Sequence, residues 1–430
     1  MMSFRATLSF RAKRGICSAG VGLLLLMQAC ASSGTVTSSG AQTVPEVSDR
    51  AMRVYRDAIV IDTHNDLPSK MIDDGYNADF RHAPGFERDQ GQSDLPRFME
   101  SGITGQFLSA WVDAPYAFRT PDQSWSRIQI YLDTIHAFVN RHPDRLTMAT
   151  TARQVREAKQ QGKVAMLIGV EGGHAIENSL DHLRELYRRG VRYMTLTWNN
   201  GTPWAGSAAG LNGTRSGGFT ALGREIVREM NRLGMLVDIS HVSDSTFFDA
   251  VAVSSDPVIA SHSSARALNS HRRNMSDEQL RAVARNGGVV NVNFYSVFVD
   301  PRFLAQSDSI ARVVDAETRV ALQQNGADSA AVRAAAERRT DLALRGLPRP
   351  PLSILIDHIV HIARVAGIDH VGIGSDFDGV GGLLPAGMDD VTRLPLIAQA
   401  LLDRGYSEQD VRKVLGGNML RVMESVLDRR

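Results

Sequence analysis

Eight short β-rich runs, separated by amphipathic stretches, constrain this chain more than any other feature of its sequence. The runs are Ala58-Thr63, Thr104-Trp111, Val164-Val170, Tyr193-Thr197, Leu236-Ser240, Val258-Ser261, Val289-Phe294 and Val371-Ser375. Between them lie segments such as Asp181-Gly190, Ala221-Gly234 and Asp277-Gly287, with apolar residues three and four apart and glycine at the stop. The last helices are expected at Leu394-Arg404 and Glu408-Leu415. Eight βα units in series predict an α/β fold, a closed (β/α)8 TIM-like barrel, with an open doubly wound sheet as the alternative. A length of 430 residues is normal for one such barrel with insertions. With 43% hydrophobic and 22% charged residues, the chain can bury a large core. From about Asp300 to Pro351 the texture turns to Ala, Arg, Gln and Asp, which predicts a helical insertion between the seventh and eighth strands. It could serve as a lid, as a homodimer contact or as solvated decoration.

The first thirty residues read as an export signal. Arg5, Arg11, Lys13 and Arg14 precede an apolar run from Val21 to Met27, which is shorter than the ~20 residues a membrane-spanning helix needs. Gln28-Ala29-Cys30 then resembles a lipoprotein cleavage site, with Cys30 as the lipidated residue; ordinary signal cleavage is the alternative. The expected organisation is a signal peptide over 1–30, a Ser, Gly and Thr-rich tether over 31–46, and one catalytic domain over 47–430. That places the protein in the cell envelope or periplasm, touching the membrane only through its anchor. Cys17, the other cysteine, lies in the leader, so the mature body has no internal disulfide to form. A net charge of +1 without a basic stripe excludes a nucleic-acid role.

Chemistry-bearing residues recur at the ends of the runs. His64 and Asp66 follow the first, Glu171 ends the third, His241 the fifth, His262 the sixth and Asp376 the eighth. In a barrel all these ends open on one face, where catalytic groups gather. His-x-Asp on a strand turns both side chains to one side. Singly, each motif is more often a satisfied core histidine than a ligand. Together, His64, Asp66, Glu171, His241 and His262 buried without a cation carry a prohibitive desolvation cost. Their number fits two divalent ions sharing one carboxylate. His136, His142, His182, His358 and His361 lack this setting and read as structural, while His174 is open between support of the site and plain structure.

The motifs Asp62-Thr63-His64-Asn65-Asp66-Leu67-Pro68, Gly169-Val170-Glu171-Gly172-Gly173-His174, Ser261-His262-Ser263-Ser264-Ala265, Arg272-Arg273-Asn274 and Gly374-Ser375-Asp376-Phe377-Asp378-Gly379 occur in this order. They resemble the renal (membrane) dipeptidase family of zinc peptidases, from about Val54 to Val426. The resemblance implies a barrel of the metal-dependent hydrolase type holding two zinc ions. Glu171 would bridge them, with His64 and Asp66 on one and His241 and His262 on the other. A hydroxide between the metals would attack the peptide bond of a dipeptide, among them L,D-dipeptides as an open option. Asp376 is implied as the proton carrier and Arg273 as the group that binds the substrate's free carboxylate. One residue departs from the pattern. Where mammalian members end the fourth strand in a substrate-contacting histidine, this chain has Trp198, followed by Asn199 and Asn200. An indole donates a hydrogen bond but cannot ionise. Trp198 and Asn199 are therefore expected to contact the substrate. The departure leaves two other functions in play, another amide or lactam hydrolase and an inactive envelope binding lipoprotein.

Overall fold

The computed structural model describes residues 46–119, 123–210, 217–324 and 329–429; the leader, Cys30 and the tether as far as residue 45 lie outside them. The strands are β1 (Ile61–Asp62), β2 (Gly105–Trp111), β3 (Leu146–Met148), β4 (Val164–Glu171), β5 (Val191–Thr195), β6 (Leu236–Asp238), β7 (Ile259–Ala260), β8 (Val289–Val292) and β9 (Val371–Ile373). All their pairings are parallel. β1 joins β2 on one side and β9 on the other, and β2 joins β4, so that every strand except β3 belongs to a closed ring of eight. The ring strands are the eight runs of the sequence. β3 was not foreseen: it pairs with the first residues of β4, and three residues offer no period to read. Helix ends follow local chemistry. Ser276 and Gln279 form a capping box before Asp277–Asn286, and Gly287 stops that helix at φ 85°.

Alternation along the ring strands separates two cores. Ile61, Phe107, Leu167, Tyr193, Leu236, Ile259 and Val289 form one cluster in the lumen, closed from below by helix Asn418–Val426. Their neighbours Val60, Leu108, Ile168, Met194, Val237, Ala260 and Val290 pack outward beneath the helices. Burial on both faces is why the runs are continuously apolar.

Two residues further along each strand the lumen changes character. Thr63, Ser109, Thr195, Asp238, Ser261 and Asn291 occupy the same parity and are fully buried. An apolar floor thus carries a polar layer, and the C-terminal strand ends open above it. Gly169 sits in this layer for a steric reason. A Cβ there would lie 1.9 Å from the Tyr193 ring, whose hydroxyl crosses the lumen to reach His64.

The predicted insertion forms the helices Pro301–Gln324 and Ser329–Arg345, tied together by the Arg339–Glu317 ion pair. Its base packs with Val297, Phe298 and Leu383, which follow β8 and β9, so it stands on the catalytic face and is not detached decoration. Replacing Gly169 with alanine drives a methyl into the Tyr193 ring. A loss of about 1–3 kcal/mol is expected from this overpacking, read as a lower midpoint in thermal denaturation. An unchanged midpoint contradicts this account of the lumen.

Candidate metal centre and substrate cleft

The six ionisable residues marked in the sequence meet at the C-terminal mouth of the barrel. Glu171 ends β4, His262 lies two residues beyond β7, and His241 and Asp376 lie three beyond β6 and β9. His64 and Asp66 are not on a strand, so period two is not what turns them together. β1 ends at Asp62, and the loop is pinned instead by the Asp66 N–H, which donates to the Phe377 carbonyl at 2.8 Å. His241 and Asp376 adopt left-handed backbone, φ 66° and 63°. Such conformations cost non-glycine residues on the order of 1–3 kcal/mol and tend to persist where surrounding structure imposes them.

Glu171 is the centre of the arrangement. Its Oε2 lies 3.5 Å from His64 Nε2, while its Oε1 lies 2.9 Å from His241 Nε2 and 3.5 Å from His262 Nε2. Asp66 Oδ2 and Asp376 Oδ1 approach His64 Nε2 at 3.4 and 3.9 Å. Two overlapping triads, His64 with Glu171 and His262, and His64 with Asp66 and Asp376, have donor atoms within 4.8 Å of one another. All six residues are at most 9% exposed.

The surrounding hydrogen bonds aim these donors inward. Tyr193 donates its hydroxyl proton to the Thr63 carbonyl at 3.2 Å, so its oxygen accepts from His64 Nδ1 at 2.9 Å. His64 therefore offers Nε2 to the centre, where that buried atom has no hydrogen-bond partner. In the same way Ser261 donates to Asp238 at 2.6 Å and accepts from His262 Nδ1 at 2.8 Å. Asn293 donates to Asp376 Oδ2 at 2.7 Å. Second-layer groups of this kind fix ligand tautomer and orientation. Gly379 completes the cradle, since a Cβ there would meet Asp66 Oδ2 at 2.1 Å and Asp376 Oδ1 at 2.8 Å.

Electrostatics point the same way. Burial alone pushes His64 down, but Tyr193, Glu171 and Asp66 outweigh it and hold the imidazole well above its ordinary range. Glu171 is held well below the carboxylate range, because His64 and His241 outweigh the effect of burial. Burial, then the charges of His64 and Arg273, keep His262 well below the usual imidazole range. Asp376 is pushed up to about 7 by burial, with Asp66 and Glu171 adding to it. Imidazole with carboxylate oxygen is a donor set that suits divalent zinc-like ions.

A cavity of about 450 Å³ opens above these groups, within the range of small-ligand sites (roughly 300–1,000 Å³). Arg273 lines it and is buried, with its Nη atoms on the Ser263 hydroxyl at 3.4 Å and the His262 carbonyl at 3.2 Å. It forms no ion pair with a carboxylate among the described residues, and burial pushes it down to about 10. Trp198 and Asn199 also line the cavity. The Trp198 ring stands between Trp111 and His241, at 5.1 and 6.4 Å. Asn200 is fully buried and does not line it. The remaining histidines are structural. His358 bridges the Ala265 N–H and the Val299 carbonyl, His361 pairs with Asp277, and His182 stacks on Trp125. His174 donates to the Val112 carbonyl at 2.7 Å from the layer behind Glu171.

Residues that the sequence reading passed over are the supports: Tyr193, Asp238, Ser261 and Asn293. Asp238 carried the one readable signal, a charge inside an apolar run. A (β/α)8 barrel whose strand ends deliver a buried imidazole and carboxylate donor set defines a metal-dependent hydrolase. The chain belongs to the membrane dipeptidase family, peptidase family M19, whose model matches residues 48–429. It is similar to "Dipeptidase verJ" of Clonostachys rogersoniana, 35% identical over 393 residues that cover 88% of this chain and 86% of that one. A metallo peptidase from Rhodobacter sphaeroides, liganded with a phosphinate mimic of the dipeptide L-Ala-D-Ala, is 26% identical. It superposes with a TM-score of 0.68 over 86% of this chain and all of that one. The probable dipeptidase PvdM of Pseudomonas aeruginosa shares the fold, with a TM-score of 0.75 and 24% identity over 89% of this chain and 98% of the other. The chain is accordingly a metallopeptidase of dipeptidase type.

Tyr193→Phe removes only the oxygen that orients His64. It is expected to weaken metal retention roughly 10–100-fold, measured by metal content after dialysis against graded chelator, with the thermal midpoint of the metal-free protein little changed. Retention equal to the parent's shows that His64 needs no such orientation.

Proposed function

We propose that the chain is a two-zinc dipeptidase in which Glu171 would be shared between the metals, with His64 and Asp66 holding one and His241 and His262 the other. The observation that carries this reading is the two-sided placement of Glu171, with one oxygen toward His64 and the other toward the His241–His262 pair. Zinc held there would supply Lewis acidity, to acidify a water and polarise the peptide carbonyl. The protein's own groups do the rest. Arg273 forks the free C-terminal carboxylate, an anion that compensates a buried guanidinium with no direct carboxylate partner among the described residues. Asp376, with Oδ2 held by Asn293 and Oδ1 toward the donor cluster, takes the water proton and returns it to the leaving amine. Trp198 and Asn199 border the amide, Asn199 as a hydrogen-bonding group and Trp198 as a wall with one N–H.

The substrates of this reading are dipeptides, including those with a D-residue second, as the phosphinate mimic bound by the Rhodobacter relative suggests. A second reading, hydrolysis of another amide or a lactam at the same centre, is favoured only by the bulk of Trp198 beside His241. Chelation is expected to abolish dipeptide turnover, and zinc to restore it. Arg273→Ala is expected to cost about 2–5 kcal/mol in kcat/KM, at least ~30-fold. Amidating the C-terminal carboxylate of the substrate is expected to cost the unaltered enzyme a comparable factor. If amides are cleaved as fast as free dipeptides, the proposed role of Arg273 is wrong.

We also propose that residues 47–430 are the catalytic domain of an exported lipoprotein, tethered from Cys30 by residues 31–46. The basic start, the short apolar run and Ala29-Cys30 support this. Among the described residues no helix is long and apolar enough to cross a membrane. The full chain expressed in a bacterial host is expected in the membrane fraction, and Cys30→Ser is expected to release an active enzyme. A Cys30→Ser protein that stays with the membranes contradicts the anchor.

A further inference from the structure

The helical insertion enters the substrate cleft. Asp341 and Leu344, one turn apart on helix Ser329–Arg345, line the same cavity as Glu171, Arg273 and Asp376, yet the reaction as described uses neither. Leu344 is 6% exposed and packs in one apolar cluster with Phe298 and Leu383. Phe298 in turn lies under the Arg273 guanidinium, 5.5 Å from ring centre to Cζ. This wall is fixed from behind. His271 stacks on Phe298 at 4.4 Å, and Asn274 donates to the Phe298 carbonyl at 2.7 Å. A substrate whose carboxylate rests on Arg273 carries its last side chain within reach of this wall. Asp341 stands at the mouth with its side chain about half exposed (53%).

We propose that Leu344, with Phe298 and Leu383, forms the pocket for the side chain of the substrate's C-terminal residue, so that the insertion selects dipeptides ending in a large apolar residue. The proposal rests on the reading of Arg273 as the carboxylate anchor. Burying a leucine or phenylalanine side chain is worth roughly 1.5–3 kcal/mol, which translates into about 10- to 150-fold in kcat/KM over glycine. Asp341, 3.9 Å from the Arg345 guanidinium and only partly compensated by it at that distance, disfavours a second carboxylate at the pocket mouth.

The test is kcat/KM of the full-length, zinc-loaded enzyme on Ala-Gly, Ala-Leu and Ala-Asp. Leu344→Ala is expected to lower the Ala-Leu to Ala-Gly ratio at least ~10-fold. Asp341→Asn is expected to raise the Ala-Asp to Ala-Leu ratio several-fold. A parallel fall on all three substrates in Leu344→Ala, leaving the ratios intact, means the insertion only supports the fold and overturns the proposal. If Leu344→Ala does not fold, the exposed Asp341→Asn change decides, and unchanged ratios there overturn it equally. The amides of Ala-Gly and Ala-Leu separate this from the anchor. A Leu344-dependent ratio among amides that are cleaved as fast as the free dipeptides keeps the pocket and removes Arg273. A ratio indifferent to Leu344, with amides cleaved poorly, keeps Arg273 and removes the pocket.

Discussion

Three imidazoles converging on one buried carboxylate is the arrangement on which the rest of this molecule depends. Glu171 could not hold its charge at 5% exposure in an apolar lumen, because desolvation alone favours the neutral acid. The barrel answers with a graded interior, in which apolar side chains fill the floor and hydroxyls, amides and Asp238 fill the layer above. β4 is the longest strand of the ring, eight residues, and it carries Glu171 up through both layers. The histidines come from the segments that follow three other strands, so no single loop could assemble the centre. Left-handed backbone at His241 and Asp376 is tolerated for the same reason. The ring and its packing oppose relaxation of either residue.

Much of this was legible in the sequence because burial on both faces writes itself as uninterrupted apolar runs, and parallel strands deliver their last residues to one end. Glu171, His241, His262 and Asp376 could be found by that rule alone. His64 and Asp66 were found for a partly wrong reason, since a pinned loop and not strand periodicity brings them together. The supports were harder to see. Tyr193 has the parity and character of a core residue, and only the glycine opposite it, Gly169, reveals that its hydroxyl crosses the lumen. Ser261 and Asn293 are common polar residues whose partners lie 23 and 83 positions away. β3 is too short to leave a period. The insertion reads as uniform amphipathic helix, so nothing in its composition marks Leu344 as the residue that meets the cleft.

The proposed chemistry and the proposed selectivity draw on different parts of the chain. The imidazole and carboxylate cluster and the groups that orient it stand on the ring and the loops after its strands. Asp341 and Leu344 belong to a pair of helices inserted between β8 and β9, attached through a small apolar cluster of its own. A scaffold divided in this way can change what it accepts at the cleft without disturbing the carboxylate at its centre.

Arg273 has a further consequence through its attachment. Its guanidinium donates to the backbone carbonyl of His262 and to the hydroxyl of the next residue, Ser263. On the proposed reading, the group that would hold one end of a peptide is thereby tied to the backbone of a residue whose ring nitrogen faces Glu171. The distance between the carboxylate anchor and the Glu171 cluster would then be set by this one loop and not by the insertion.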